Sequence, residues 1–107
     1  NVPQNIGIRV AVCYPVTYMK SFRDLERLVR GFSNHRRIQM LSMLKKKPEQ
    51  SVEELAEALN INFRTSSEHL RRLAVAGLVM KRNDNTSVRH RLTERGEAIL
   101  LFLGTLE

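Results

Sequence analysis

Ser51–Leu92 reads SVEELAEALNINFRTSSEHLRRLAVAGLVMKRNDNTSVRHRL. Ser51 followed by Glu54 has the spacing of a capping box, in which the hydroxyl accepts from an early helical N–H and the carboxylate reaches back to the cap's own N–H. A helix is therefore expected from Val52. Val52, Leu55, Ala56 and Leu59 recur at helical spacing, and Glu53, Glu54 and Glu57 lie in or near the first turn, where the helix dipole favours negative charge. Asn60 ends this helix, and after a short connection Asn62 caps a second one over about Phe63–Ala76. Such a tight join between two short helices is the plan of a helix-turn-helix.

On the second helix Ser66, Leu70, Leu73, Ala74 and Gly77 fall to one side, leaving Arg64, Thr65, Glu68, Arg71, Arg72 and Val75 on the other. Gly77 suits a left-handed stop, and Leu78-Val79-Met80 leaves as a strand. Asn83-Asp84-Asn85-Thr86 is a turn cluster, and Ser87–Leu92 returns as the partner strand. Along that return Val88, His90 and Leu92 share one side while Arg89 and Arg91 share the other, giving a hairpin half buried and half cationic. Helix, turn, helix and basic hairpin in that order make a winged helix-turn-helix, mainly α, with element order α-α-α-α-β-β-α.

Two outer helices complete that order. Ser21 with Asp24 opens the first, whose stripe of Phe22, Leu25, Leu28, Val29 and Phe32 closes near Gly31. The next is expected from Asn34 to about Lys46, capped by Ser33 and broken at Lys45-Lys46-Lys47-Pro48. The last helix follows a Thr93 cap and contains Ala98-Ile99-Leu100-Leu101-Phe102-Leu103, six apolar residues in succession that cover more than one face. A monomer would leave that surface in water, so the helix is expected to meet its twin in a two-fold homodimer, with Phe22, Leu25, Ile99, Phe102 and Leu103 at the interface.

The charge is concentrated. Residues 62–95 carry eight Lys or Arg against three acids, a surplus of five within a formal net charge of +7, whereas 51–61 contributes minus three. Many cationic faces are simply solvated, yet here the charge coincides with the helix and hairpin that such a fold presents to a duplex. Neutralising phosphates with counterion release is the gain it offers, and six such contacts would cost about a thousandfold in affinity between about 50 and 200 mM salt.

The run from about Leu28 to Leu103 resembles the ArsR-type winged-helix repressors. Arg37-Ile38-Gln39-Met40-Leu41 is similar to that family's R-x-x-I-L element, Ser67-Glu68-His69-Leu70 with Leu73 and Ala76-Gly77-Leu78-Val79 to its recognition helix, and Val88–Thr93 to the return strand of its wing. The resemblance implies a DNA-binding transcriptional repressor. Where metal-sensing members carry C-V-C this chain has Ser51-Val52-Glu53, so the thiolates for a soft metal are missing. His35, His69 and His90 lack chelating spacing, and neither metal nor cofactor is expected. Ser66 stands where the family has a branched apolar residue; its hydroxyl is expected to weaken packing or to bond the preceding turn of its own helix. His69 lies near the DNA backbone in that family, or else packs under the wing with one nitrogen on a carbonyl. His90 is expected to be a partly buried strand residue.

For the DNA reading, Arg64, Thr65, Ser67 and Glu68 are the candidates for base edges, since Arg forks onto guanine and Glu accepts from cytosine. Arg71 and Arg72 are assigned to phosphates or the groove wall, and Arg82, Asn85, Arg89 and Arg91 to the flanking backbone or minor groove. A homodimer sets two such helices one DNA turn apart, about 34 Å, and calls for a palindromic site. The alternative is a protein-interaction module whose working surface is the apolar last helix. An enzyme is not expected: no nucleophile–base pair, glycine-rich phosphate loop or paired-carboxylate constellation is present. Glu94 and Glu97 read as favourable charge at a helix start.

At 107 residues the chain makes one domain, divided here into an extension over 1–18 and a DNA-binding unit over 19–107. Ile8, Val10, Val12 and Tyr14 alternate with Arg9, Ala11 and Cys13, as in a half-buried strand ended by Pro15 that either adds to the wing sheet or crosses to a partner subunit. Asn1 in place of methionine implies a chain that is processed, tagged or excised from a longer one; a start at Met19-Lys20 is the other option. With one cysteine, Cys13, read as a small buried hydrophobe, and neither a secretory signal nor a run for a membrane span, a cytoplasmic location is expected. No residue pattern identifies an effector.

Overall fold

Capping fixes where each helix of this computed structural model begins; it describes residues 21–107. The extension over 1–18, the strand at Ile8–Tyr14, Cys13 and the alternative start at Met19-Lys20 lie outside them. The order is α1 (Phe22–Phe32), α2 (His35–Lys46), α3 (Val52–Leu59), α4 (Phe63–Val75), β1 (Val79–Asp84), β2 (Ser87–Leu92) and α5 (Glu94–Gly104). This is the winged helix-turn-helix read from the sequence. Ser21, Ser51, Asn62 and Thr93 cap α1, α3, α4 and α5, and the Ser51–Glu54 capping box is formed from both sides. Asn34, not Ser33, caps α2. Its Oδ1 accepts from the backbone N–H of both Arg36 and Arg37, which a hydroxyl one residue earlier has no reach to do, while Ser33 closes α1.

Helix α2 is the axle of the fold, packing against α1, α3, α4, α5 and β2. Met40, Leu41 and Leu44 from its inner face meet Leu55 and Leu59 of α3, Leu70 and Leu73 of α4, and Leu78 and Val79 at the entry to the hairpin. Each buried leucine contributes roughly 1.5–3 kcal/mol relative to exposure, against about 0.2–1 kcal/mol for an exposed ion pair. The core therefore holds the fold, and surface ion pairs can exchange partners without endangering it.

The turn between α3 and α4 is Asn60-Ile61-Asn62, with Asn60 left-handed at φ 57° and the Ile61 N–H returning to Ala56 O at 3.0 Å. Ser66 is fully buried, and its hydroxyl donates to Val52 O, 3.1 Å away at the start of α3. The expected bond to its own helix is thus replaced by one across the motif, where a methyl-bearing side chain would leave that carbonyl without this donor.

After α4, Gly77 at φ 80° makes the left-handed stop, and Leu78 N–H returns to Leu73 O. The wing strands pair antiparallel from Val79↔Leu92 to Asp84↔Ser87. Strand β1 starts one residue later and runs four residues further than the Leu78–Met80 read from apolar character. Pairing with β2 carries the ladder through the polar Lys81–Asp84, so the four-residue turn cluster contracts to Asn85-Thr86. His90 is buried more completely than expected, at 1% exposure; its N–H and Nδ1–H both donate to Gln50 O, and Glu49 N–H donates to His90 O. Gln50 is thereby bridged to β2 as a one-residue third strand.

Thr93 locks the wing to the last helix. Its Oγ1 donates to Gly77 O at 2.6 Å and accepts from Gly96 N–H at 3.1 Å, while its own N–H donates to Leu78 O. Helix α5 turns Ile99, Leu100 and Leu103 toward the core and leaves Leu101 and Phe102 in solvent, the two-faced apolar helix that its sequence demands. No helix among the described residues is long and apolar enough to cross a membrane.

Candidate nucleic-acid interface

The capped start of α4 stands clear of the core. Phe63 and Arg64 are exposed and Thr65, Ser67 and Glu68 half-buried, and Asn62 Oδ1 accepts from Thr65 N–H at 2.7 Å. Among the described residues no carboxylate is paired with Arg64, whereas the cations further along carry acidic partners. Glu68 takes Arg71 in a two-point fork at 3.0 and 2.8 Å and Arg72 Nε at 3.0 Å. The Arg71 fork is the main cause that lowers the Glu68 carboxyl to about 2, so it is ionised throughout the working range.

In the wing the pattern is stronger. Glu49 accepts from Arg82 Nε and Nη2 at 3.0 and 2.8 Å and lies 3.6 Å from Arg91. Arg89 turns back from the outward row toward Glu54 at 3.1 Å and Asp84 at 3.6 Å, leaving its side chain 28% exposed, about half the value for Arg82 and Arg91. The expectation that Arg89 and Arg91 share one outward side holds for Arg91 alone. Glu54 serves twice, since its Oε1 also receives Ser51 N–H in the capping box; that bond is the first cause holding its carboxyl below the usual range. Asn85 sits at the exposed wing tip with φ 39°.

Glu49 is the residue that sequence reading missed. The stretch Lys45-Lys46-Lys47-Pro48 was legible as a helix breaker, but nothing local links Glu49 to cations 33 and 42 positions away; that depends on the Gln50–His90 bridge. The backbone at Glu49 is left-handed, φ 66°, which turns its carboxylate to the wing.

The carbonyl partner expected for a ring nitrogen of His69 is not found at Nδ1, which is buried without a hydrogen-bond partner among the described residues. The charges that act on the ring are Arg37 and His35 of α2 with Glu68 and Arg72 of α4. Burial first, then Arg37, pushes its pKa down. The charges that reach it thus come from α2 and from its own helix. Among the described residues no group of three His, Cys, Asp or Glu side chains is arranged to hold a metal ion.

An exposed, capped helix start, a cationic wing beside it and a short capped helix behind define a winged-helix DNA-binding transcriptional regulator. Residues 34–81 match the profile of the family described as "Bacterial regulatory protein, arsR family". The solution structure of the homodimeric winged helix-turn-helix DNA-binding domain of Mb0332 from Mycobacterium bovis, described as a possible ArsR-family transcriptional regulator, is similar at 30% identity. The match covers 79% of this chain and 78% of that one, with TM-score 0.69. HlyU from Vibrio cholerae is 31% identical over 82% of this chain and 96% of that chain, TM-score 0.70. The transcriptional repressor BigR from Xylella fastidiosa is 27% identical over 79% and 84%, TM-score 0.66. No curated protein matches the sequence. The chain belongs to the ArsR family of DNA-binding regulators and is not an enzyme.

Proposed function

We propose that the chain is a homodimeric, sequence-specific repressor that binds a palindromic site in double-stranded DNA, with residues 19–107 as the binding unit, in a reducing cytoplasm. The observation that carries this reading is the contrast at α4: its capped first turn offers Arg64 and Thr65 without acidic partners, while the flanking cations are held in place by carboxylates. Arg64 and Thr65 read base edges, joined by Ser67 and by Glu68 once its arginines turn to phosphates. Arg71 and Arg72 grip the groove wall, and Arg82, Asn85, Arg89 and Arg91 hold the flanking backbone. The homodimer is supported by the exposed apolar surface on α1 and α5, with Phe22 83%, Leu101 69% and Phe102 53% exposed, and by the homodimeric Mb0332 domain. Leu25, Ile99 and Leu103 are half-buried within the protomer, so in this reading they back the interface while Phe22 and Phe102 make it. The repressor sense is supported by the similarity to BigR.

Selection of bound sequences from a random duplex pool, followed by titration at two salt concentrations, tests the reading. The expected result is an inverted repeat with half-sites one turn apart and a steep loss of affinity with salt. Failure to enrich any sequence, with a flat salt response, would mark the fold as an interaction module that works through α5.

A further inference from the structure

An open cleft of about 630 Å³ lies between α1, the C-terminal half of α4 and the first turn of α5. Its floor is apolar, formed by Leu28, Gly31 and Ala76. There the two helices touch so closely that a Cβ on Gly31 would overlap the Ala76 methyl. Its walls are cationic. Arg27 and Arg30 come from α1, Arg71 and Arg72 from α4, and Arg95 from α5, with Asp24 as the acidic residue in the lining.

Those five guanidiniums are incompletely matched. Asp24 holds Arg27 at 3.0 Å, Glu26 holds Arg30 at 3.2 Å, and Glu68 is shared by Arg71 and Arg72. Among the described residues Arg95 has a single long bond, Nη1 to Ala76 O at 3.4 Å. Five like charges around one cleft focus a positive potential that a bound anion relieves. Guanidinium forks match carboxylate and phosphate oxygens in particular, and the apolar floor adds contact area for a hydrocarbon body.

We propose that this cleft binds a small amphipathic organic anion, its carboxylate or phosphate gripped by Arg30, Arg72 and Arg95 and its apolar body resting on Leu28 and Ala76. Binding draws Arg72 away from Glu68, which keeps its two-point fork to Arg71, so that an occupied cleft alters the face that α4 offers to DNA. This coupling rests on the DNA-reading role proposed above; the binding does not.

Phenyl phosphate is a suitable probe, titrated calorimetrically into the full chain without DNA, with inorganic phosphate and benzyl alcohol alongside. One saturable site per chain is expected for phenyl phosphate, at least tenfold weaker binding for inorganic phosphate and none for benzyl alcohol. Arg30→Ala/Arg95→Ala and, in case Arg95 steadies the start of α5, Arg27→Ala/Arg30→Ala should each lose tenfold or more with unchanged circular dichroism. Lys46→Ala, remote on α2, should bind as the parent does. Equal binding by the parent and both double variants, or an equal loss in Lys46→Ala, would overturn the site. Duplex affinity is then measured with and without saturating phenyl phosphate. A shift in the parent that is absent from the double variants supports the coupling, and no shift in the parent refutes it. A titration without phenyl phosphate reports separately on DNA binding itself.

Discussion

The first turn of α4 and the wing carry the same residue type for different ends. Arg64 stands with no acidic partner among the described residues, whereas Arg82, Arg89 and Arg91 are each held by a carboxylate of Glu49, Glu54 or Asp84. A net charge counts both groups alike. Their availability differs, because the wing arginines must leave an internal carboxylate to reach a phosphate, while Arg64 gives up water alone. Exposed pairs are worth about 0.2–1 kcal/mol, so the exchange is cheap, and the carboxylates meanwhile keep long side chains aimed at the groove edge.

The contrast requires the wing to be held against the helix pair, and Gly96 is where that hold is tightest. A Cβ there would strike the carbonyl oxygen of Leu78, a backbone atom that already accepts from Thr93 N–H, and would press on Leu92 as well. Neither helix nor strand can yield by rotating a side chain. Gly96→Ala should therefore cost about 3 kcal/mol or more, seen as a lower urea midpoint and loss of both kinds of DNA contact together. A variant as stable as the parent would show that α5 and the wing are not rigidly joined.

With the wing in place, the two groups of arginine should separate in binding. Arg64→Ala should cost about 1–3 kcal/mol on the selected duplex and much less on random DNA, relaxing preference at particular base pairs. Arg89→Ala should weaken all duplexes alike and reduce the salt slope by about 1. Equal losses on selected and random DNA for Arg64→Ala would place that residue with the phosphate contacts.

Most of this architecture could be read beforehand, for a physical reason. Caps, left-handed stops and apolar periods are local signals, and Ser51, Asn62, Gly77 and Thr93 each do what their chemistry dictates. The exceptions depend on distant partners. Ser66 bonds Val52 across the motif, Arg89 turns inward because Glu54 and Asp84 are there to receive it, and β1 runs through polar Lys81–Asp84 because β2 lies alongside. At α2 the choice between Ser33 and Asn34 turned on which side chain reaches two N–H groups. For the site, residue type told which cations exist; only the fold told which of them are already engaged.

Two histidines, His90 in the wing and His69 on α4, make the fold sensitive to acid. Burial lowers the pKa of His90, opposed by its bond to Gln50 O, and burial followed by the charge of Arg37 lowers that of His69. Both folded values lie below the ordinary value of about 6.5 in the unfolded chain. The unfolded chain consequently takes up protons first, so stability is fully present above about pH 6.5 and is lost as pH falls below it. One histidine can contribute at most about 1.4 kcal/mol per pH unit to this slope. Urea midpoints at pH 7.5 and 5.5 should show this decline, and His90→Gln should flatten it; a decline just as steep in that variant would assign it elsewhere.

The smallest expected effect bears most directly on the difference between Arg64 and the wing. Glu49→Gln keeps the side-chain length and the backbone N–H bond to His90 O but removes the charge that holds Arg82 and Arg91. If those pairs stand in for phosphates in the free protein, the variant should bind selected and random duplexes about two- to fivefold more tightly, the range that an exposed pair can supply. The gain should fade at high salt, where the released cations are screened. It should also vanish in Arg82→Ala/Arg91→Ala, because there is then nothing left for Glu49 to hold. Unchanged affinity at low salt would mean that the wing arginines are as available as Arg64 from the outset, and the contrast between the two regions would reduce to one of base contact against backbone contact.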